Sequence, residues 1–181
     1  MALSDNSCDL RSRLLGRIHE NDIRELCHMI QCCENHSLME QLYRLMFDAD
    51  KRVSDNAAWL FTHLDAARRQ WLYPKCDELM QEAMHTSSET KCRLLLTLLA
   101  AQPFREENLR TDFLDFCMNR MISSGSPAGI RALCMKLSYL QCKLYPELLA
   151  EFRSALEMLE EASPLSPALK VARRNIIQKM R

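Results

Sequence analysis

Tyr73-Pro74 and Tyr145-Pro146 stand 72 positions apart, and each opens an amphipathic stretch that leads into a second one. That interval is two periods of about 36, and internal repeats of 20–50 residues mean stacked units that bury their apolar faces against neighbours. The rest of the chain keeps the same beat. Between 53 and 64, Val53, Ala57, Leu60, Phe61 and Leu64 form one stripe, the spacing of a helix packed on one side. Shifted by 35, Cys92, Leu95, Leu96 and Leu99 take the same places. Ser126-Pro127-Ala128 before Ala132 recurs 40 residues later as Ser166-Pro167-Ala168 before Ala172. Both read as helix starts, with Ser as N-cap and Pro at the first helical position, where its missing N–H costs nothing.

These second helices, at 52–64, 88–101, 127–141 and 167–181, each follow a first helix, at roughly 37–48, 74–85, 110–122 and 146–162. In the last first helix, Leu148, Leu149, Phe152, Leu156 and Leu159 form the stripe. Ahead of the repeats, 9–18 and 22–33 add a helical pair with Ile23, Leu26, Cys27 and Ile30 facing inward. With only three Gly and no Asn-Gly or Asp-Gly, hairpin signals for strands are missing. The expectation is an all-α solenoid over 1–181, with about ten helices in about five antiparallel hairpins. It comprises the 9–33 pair and repeats at about 37–64, 73–101, 110–141 and 145–181. Helix breaks are expected near 34–37, 49–52, 65–72, 86–88, 102–109, 123–127, 142–145 and 163–166. A closed helical bundle is the alternative, but it requires neither short connections nor a regular period.

Over roughly 37–181 the pattern resembles HEAT-type and armadillo-like α-helical repeats. The resemblance rests on paired helices, the 35–40 residue period and second helices shaped like Val53-x3-Ala57-x2-Leu60. Where the family often opens its second helix with an Asp and then a Val-Arg pair, Asp50-Lys51-Arg52-Val53 holds similar residues in another order. The resemblance implies an α-α superhelix whose second helices line a concave face.

Several function classes find no support in the residues. There is no apolar run of 18 residues to span a membrane. Met1-Ala2-Leu3-Ser4-Asp5 lacks the basic start and apolar core of a signal peptide. The nine cysteines are odd in number and irregularly spaced, and Cys27, Cys92, Cys117 and Cys134 fall on buried stripes. There they act as small hydrophobes, which fits a reducing, cytoplasmic setting. Cys27, His28, Cys32, Cys33 and His36 invite a zinc reading, since His28 and Cys32 are four apart on a helix and His36 follows in the next turn. Zinc wants four ligands in a tetrahedron. Cys27 points to the opposite stripe and no Cys-x2-Cys fixes the set, so no metal and no cofactor is expected. Gly-x4-Gly-Lys, His-Glu-x2-His and Gly-x-Ser-x-Gly are all missing. No catalytic residue is assigned, and Ser123-Ser124-Gly125-Ser126-Pro127 reads as a turn between helices.

Charge placement says more than charge total, which is zero with 24 basic and 24 acidic residues. The second helices hold ten basic residues and two acidic; the first helices hold five basic and twelve acidic. Five of those ten are Lys170, Arg173, Arg174, Lys179 and Arg181 in the last helix, where a helix C-terminus itself favours cations. If second helices line the concave side, that side is positive and attracts phosphates or an acidic partner. Arg52, Asn56, Trp59 and His63, opposite the core stripe of 52–64, are candidate binding residues together with Lys91, Arg131, Lys170 and Arg174. The function expected is a non-catalytic scaffold binding a protein or peptide on its concave face. The alternative is a nucleic-acid binder akin to the HEAT-like alkylpurine DNA glycosylases, with Asp55 and Trp59 as its acidic and aromatic residues. Neither reading involves a membrane.

Overall fold

The structure, a computed structural model, describes residues 5–32, 37–105, 109–162 and 165–180. Helices α1 (Asp5–Leu15) and α2 (Glu20–Cys32) form the leading pair. Four hairpins follow: α3 (Ser37–Leu45) with α4 (Lys51–His63), then, after a short α5 (Ala66–Gln70), α6 (Cys76–His85) with α7 (Glu89–Leu99). The last two are α8 (Thr111–Ile122) with α9 (Ala128–Cys142), and α10 (Pro146–Ala162) with α11 (Pro167–Lys179). No strand occurs among the described residues.

The hairpins stack in chain order. The second helices lie flank to flank, α4 on α7, α7 on α9 and α9 on α11, while the first helices touch more sparsely. None of the closely packed pairs joins the first hairpin to the last. That is an open α-α superhelix and not a closed bundle. One apolar seam runs through it, with Leu60, Phe61, Leu95, Leu99, Phe113, Leu137, Phe152 and Leu156 all fully buried. Each such side chain contributes about 1.5–3 kcal/mol by leaving water. Leu148 and Leu149, expected on the α10 stripe, are only half-buried at its start.

Local chemistry sets the helix ends. Asp50 caps α4 by accepting from the N–H groups of Arg52 at 2.8 Å and Val53 at 3.1 Å, which gives the Asp50-Lys51-Arg52-Val53 run its role. Ser88 caps α7 and Ser166 caps α11, with Pro167 in the first turn as expected. The Ser126 expectation fails: α9 starts at Ala128 with Pro127 as cap, and the Ser126 hydroxyl instead accepts from Arg120 Nη1 at 3.1 Å. The two Tyr-Pro pairs also differ. Tyr145-Pro146 opens α10 directly, whereas Tyr73–Lys75 forms a 3-10 turn ahead of α6.

The 65–72 interval, expected as a break, contains α5. Asp65 caps it through the Arg68 N–H at 2.7 Å, and Arg68 Nη2 reaches back to the Gln31 carbonyl at 2.8 Å. Beyond it, Trp71 meets Tyr43 edge-on with ring centres 5.7 Å apart, and Lys75 lies over both rings. The Tyr43 hydroxyl donates to Glu78 at 2.6 Å; burial first, then that carboxylate, pushes the phenol far up and keeps it a donor. The expected break near 34–37 falls largely on residues outside those described.

Leu60 is fully buried at the junction of α4 with its neighbours. Leu60→Asp places an unpaired carboxylate in the seam, and we expect a loss of at least about 4 kcal/mol in urea denaturation, or no cooperative transition. A variant within about 1 kcal/mol of the parent would show that the stripe is misassigned.

Candidate functional site

The surface left over by the seam can be read by counting from each second-helix cap, Asp50, Ser88, Pro127 and Ser166. Two positions after the caps stand Arg52, Thr90, Gly129 and Ala168, all exposed. Five after come Asp55, Arg93, Ala132 and Val171, and nine after come Trp59, Thr97, Lys136 and Asn175. Thirteen after come His63, Ala101, Leu140 and Lys179. None of these sixteen residues is buried. They form the outward face of the second-helix layer, because two, five, nine and thirteen follow the helical repeat. Arg93 and Lys136, which this register brings onto the face, were missed from sequence. Counting from the caps would have found them.

The face is hollowed at its N-terminal end. A cavity of about 700 Å³ lies between α1, α4 and α7, lined by Leu15, Asp50, Lys51, Arg52, Asp55, Asn56 and Thr90. A second hollow of about 270 Å³, lined by Gly16, Arg17, Ile18, Arg52 and Asn56, adjoins it through Arg52 and Asn56. The carboxylates here are already engaged. Asp50 caps α4, and Asp55 accepts the Ser88 hydroxyl at 3.0 and 3.1 Å, next to the N-terminus of α7. Arg17, Lys51 and Arg52 make no ion pair among the described residues, nor do Arg93 and Lys136 further along. Both carboxylates keep their charge, so the two hollows together hold three cations, Arg17, Lys51 and Arg52, against the two anions Asp50 and Asp55.

A family model described as a HEAT repeat domain matches residues 10–180. The chain belongs to the HEAT-repeat family. The match takes in α1 from residue 10 and the whole of α2, which the sequence resemblance, at roughly 37–181, did not cover. No curated protein and no solved structure matches the chain at a significant level.

Against this HEAT-repeat frame the eight residues chosen from sequence separate into groups. Arg52 and His63 are exposed on the outward face. Trp59 is half-buried there, packed against the core and edge-on to His63 with ring centres 5.5 Å apart. Asn56 lines the hollow, but its amide donates to the carbonyls of Leu14 at 2.8 Å and Gly16 at 3.2 Å and so closes the end of α1. Lys91 is buried, ion-paired to Glu82 on α6. Arg131 turns toward α8 and donates from Nε to the Met121 carbonyl at 2.9 Å. Lys170 and Arg174 are exposed on the flank of α11, at positions whose counterparts on α9 are Arg131 and the buried Met135.

Lys91 and Arg131 account for part of the charge asymmetry. Together with Arg173, whose Nε donates to the Leu156 carbonyl at 2.8 Å, they tie a second helix to the first helix of its own hairpin. Those bonds satisfy carboxylates and carbonyls and leave the groove less charge than the raw count suggests.

The zinc candidate separates in the same way. Cys27 is buried with its sulfur 4.0 Å from the Leu60 carbonyl, on the side away from His28. His28 and Cys32 are neighbours at 3.5 Å on the exposed side, while Cys33 and His36 lie outside the described residues. No group of three or more His, Cys, Asp and Glu among the described residues is placed to hold an ion. Seven of the described cysteines, Cys27, Cys32, Cys76, Cys92, Cys117, Cys134 and Cys142, are free thiols, and of these only Cys32 is exposed. Burial pushes the thiols of Cys76, Cys92 and Cys142 up to about 11, and that of Cys117 well above its ordinary value.

Two measurements follow. Glu82→Ala leaves the buried ammonium of Lys91 without its partner and is expected to cost about 1–3 kcal/mol. Lys91→Met removes the charge with its partner left half-exposed and should cost less, by about 1 kcal/mol or more; the reverse order in chemical denaturation would contradict the pairing. Iodoacetamide near neutral pH should label Cys32 ahead of the six buried thiols, which should react only on unfolding. Mass spectrometry showing Cys92 or Cys117 modified in the folded protein would contradict that placement.

Proposed function

We propose that the chain is a non-catalytic scaffold that binds a protein or peptide partner on the face formed by its second helices. The observation that carries this reading is the continuous outward face itself. It is concave by analogy with the family, hollowed at α4 and α7, and bears Arg52, Arg93 and Lys136 with no ion pair among the described residues. Repeat stacks present extended surfaces of this kind, and unpaired cations on them draw acidic segments through the field of the groove. Buried thiols in the core suit a reducing, cytoplasmic setting. No helix among the described residues is long and apolar enough to cross a membrane.

The nucleic-acid alternative draws on the same cations and on two specific residues. Asp55 is bonded to Ser88 and Trp59 is half-buried against the core, and both therefore also serve the fold. Peptides selected from a random display library on the parent protein provide the test. Binding should fall at least about fivefold in the Arg93→Glu, Lys136→Glu double variant. Its stability should stay within about 0.5 kcal/mol of the parent, as expected for surface positions. Selected peptides indifferent to both reversals would place the binding face elsewhere. Tight binding of short duplex or single-stranded DNA with a steep salt dependence would instead establish the nucleic-acid reading.

A further inference from the structure

Three of the outward cations, Arg52, Arg93 and Lys136, are connected across α4, α7 and α9 by a shared cavity lining and a side-chain contact. Arg52 and Thr90 line one hollow, which joins the faces of α4 and α7. Thr90 and Arg93, three residues apart, share one side of α7. Arg93 Cδ comes within 3.8 Å of where a Cβ on Gly129 would stand, which carries the path onto α9. Gly129 and Lys136 are seven apart, two helical turns on the same side. No side chain at Gly129 blocks the way, and Ala132 adds little.

The same contacts give the relative heights. The bond between Asp55 and Ser88 sets those residues level, and the Arg93 side chain, at its Cδ, stands level with Gly129. At a rise of 1.5 Å per residue, Arg93 stands about 12 Å beyond Arg52 along the shared helix direction, and Lys136 about 10 Å beyond Arg93. Neighbouring helices lie about 9 Å apart, so the cations climb a diagonal in steps of about 14–15 Å. An extended chain advances about 3.4 Å per residue and covers one step in about four residues. Four is an even number, so residues i, i+4 and i+8 of a strand all point to the same side.

We propose that this diagonal receives an extended acidic peptide whose carboxylates recur every fourth residue, one each for Arg52, Arg93 and Lys136. The inference rests on the reading of the second-helix face as a peptide-binding surface and specifies its ligand. Charge complementarity carries it: the two arginines offer planar forks that match carboxylates, and the nearby Asp55 is bonded to Ser88 at the N-terminus of α7. A helix with the same every-fourth-residue pattern would not fit this spacing, because four residues of helix advance only about 6 Å.

The test uses two labelled peptides of identical composition in a Ser/Thr background. One carries Glu at its first, fifth and ninth positions, and the other has its three Glu adjacent. Fluorescence anisotropy on the full chain should show the spaced peptide binding about tenfold tighter. Arg93→Glu should weaken it by about fivefold or more while the melting temperature is unchanged. Arg93→Lys should bind between the parent and Arg93→Glu, since charge is kept and the planar fork is lost. Equal affinity for the two peptides, with the Arg93→Glu loss intact, would overturn the spacing and leave the binding face standing. Failure of both peptides, while library-selected peptides still respond to charge reversal, would overturn this ligand alone. If the selected peptides also ignore the reversals, the face itself is wrong. Displacement of the spaced peptide by single-stranded DNA at lower concentration would overturn the proposal in favour of a phosphate backbone.

Discussion

The lateral packing of one second helix on the next governs nearly everything else in this molecule. Helix α7 shows it best. It is pressed by α4 on one flank, α9 on the other and α6 behind, and Leu94, Leu95, Leu96, Leu98 and Leu99 are all buried as a result. A helix enclosed on three sides has only one narrow strip left to show solvent, here Thr90, Arg93, Thr97 and Ala101. The outward face is therefore a residue of the packing. Its composition is freest to vary at positions two, five, nine and thirteen after each cap, with Lys51 and Asn56 adding to it at the first repeat and Lys170 and Arg174 on the flank of the last.

The polar groups show how charge is divided between holding the fold and facing outward. Where a second-helix side chain points back into its own hairpin, it is bonded: Lys91 to Glu82, Arg131 to the Met121 carbonyl, Arg173 to the Leu156 carbonyl. Met121 is among the last carbonyls of α8, which lack partners within the helix and carry partial negative charge, so the Arg131 cation from the following helix satisfies both needs. On the first-helix side the joints between hairpins are polar and aromatic. Tyr43 to Glu78, Lys75 over Tyr43 and Trp71, and Arg120 to Glu89 at 2.9 Å each cross from one hairpin to the next. The dry seam lies under the second helices, and the outer layer is sewn together by directional contacts.

This division marks how far the sequence could be read. The 3.6 period of apolar residues located every long helix and nearly every fully buried side chain named from it, from Ile23 to Leu159, because burial on one face is what the period encodes. It could not locate the edges of that face. Asn56 and Asp55 are adjacent, and only the offset between α4 and its neighbours decides that Asn56 meets the end of α1 while Asp55 meets Ser88. Lys91 looked like a surface cation for the same reason, since nothing in its own helix says that Glu82 stands opposite. The same blindness hid α5, a helix of five residues that is too short to show a period. Ser126 misled through its likeness to Ser166; the nearby Arg120 guanidinium claims its hydroxyl in place of a backbone N–H.

Placing cations on stacked helices has a physical consequence that loops cannot match. A side chain on a helix held from three sides keeps its Cβ in one place, so the interval between Arg52, Arg93 and Lys136 is set by helix rise and helix spacing. A ligand that fits does not have to order the backbone of the site as it binds, and only the rotamers of the cations are left to be fixed. The long, flexible side chains blur each point by several ångströms but leave the interval between their attachment points unchanged. On the proposed reading, selectivity along such a face follows from the mean separation of charges along the ligand. That is the property to expect of a stack with its deep apolar surface buried inside and its outward strip limited to a few positions per repeat.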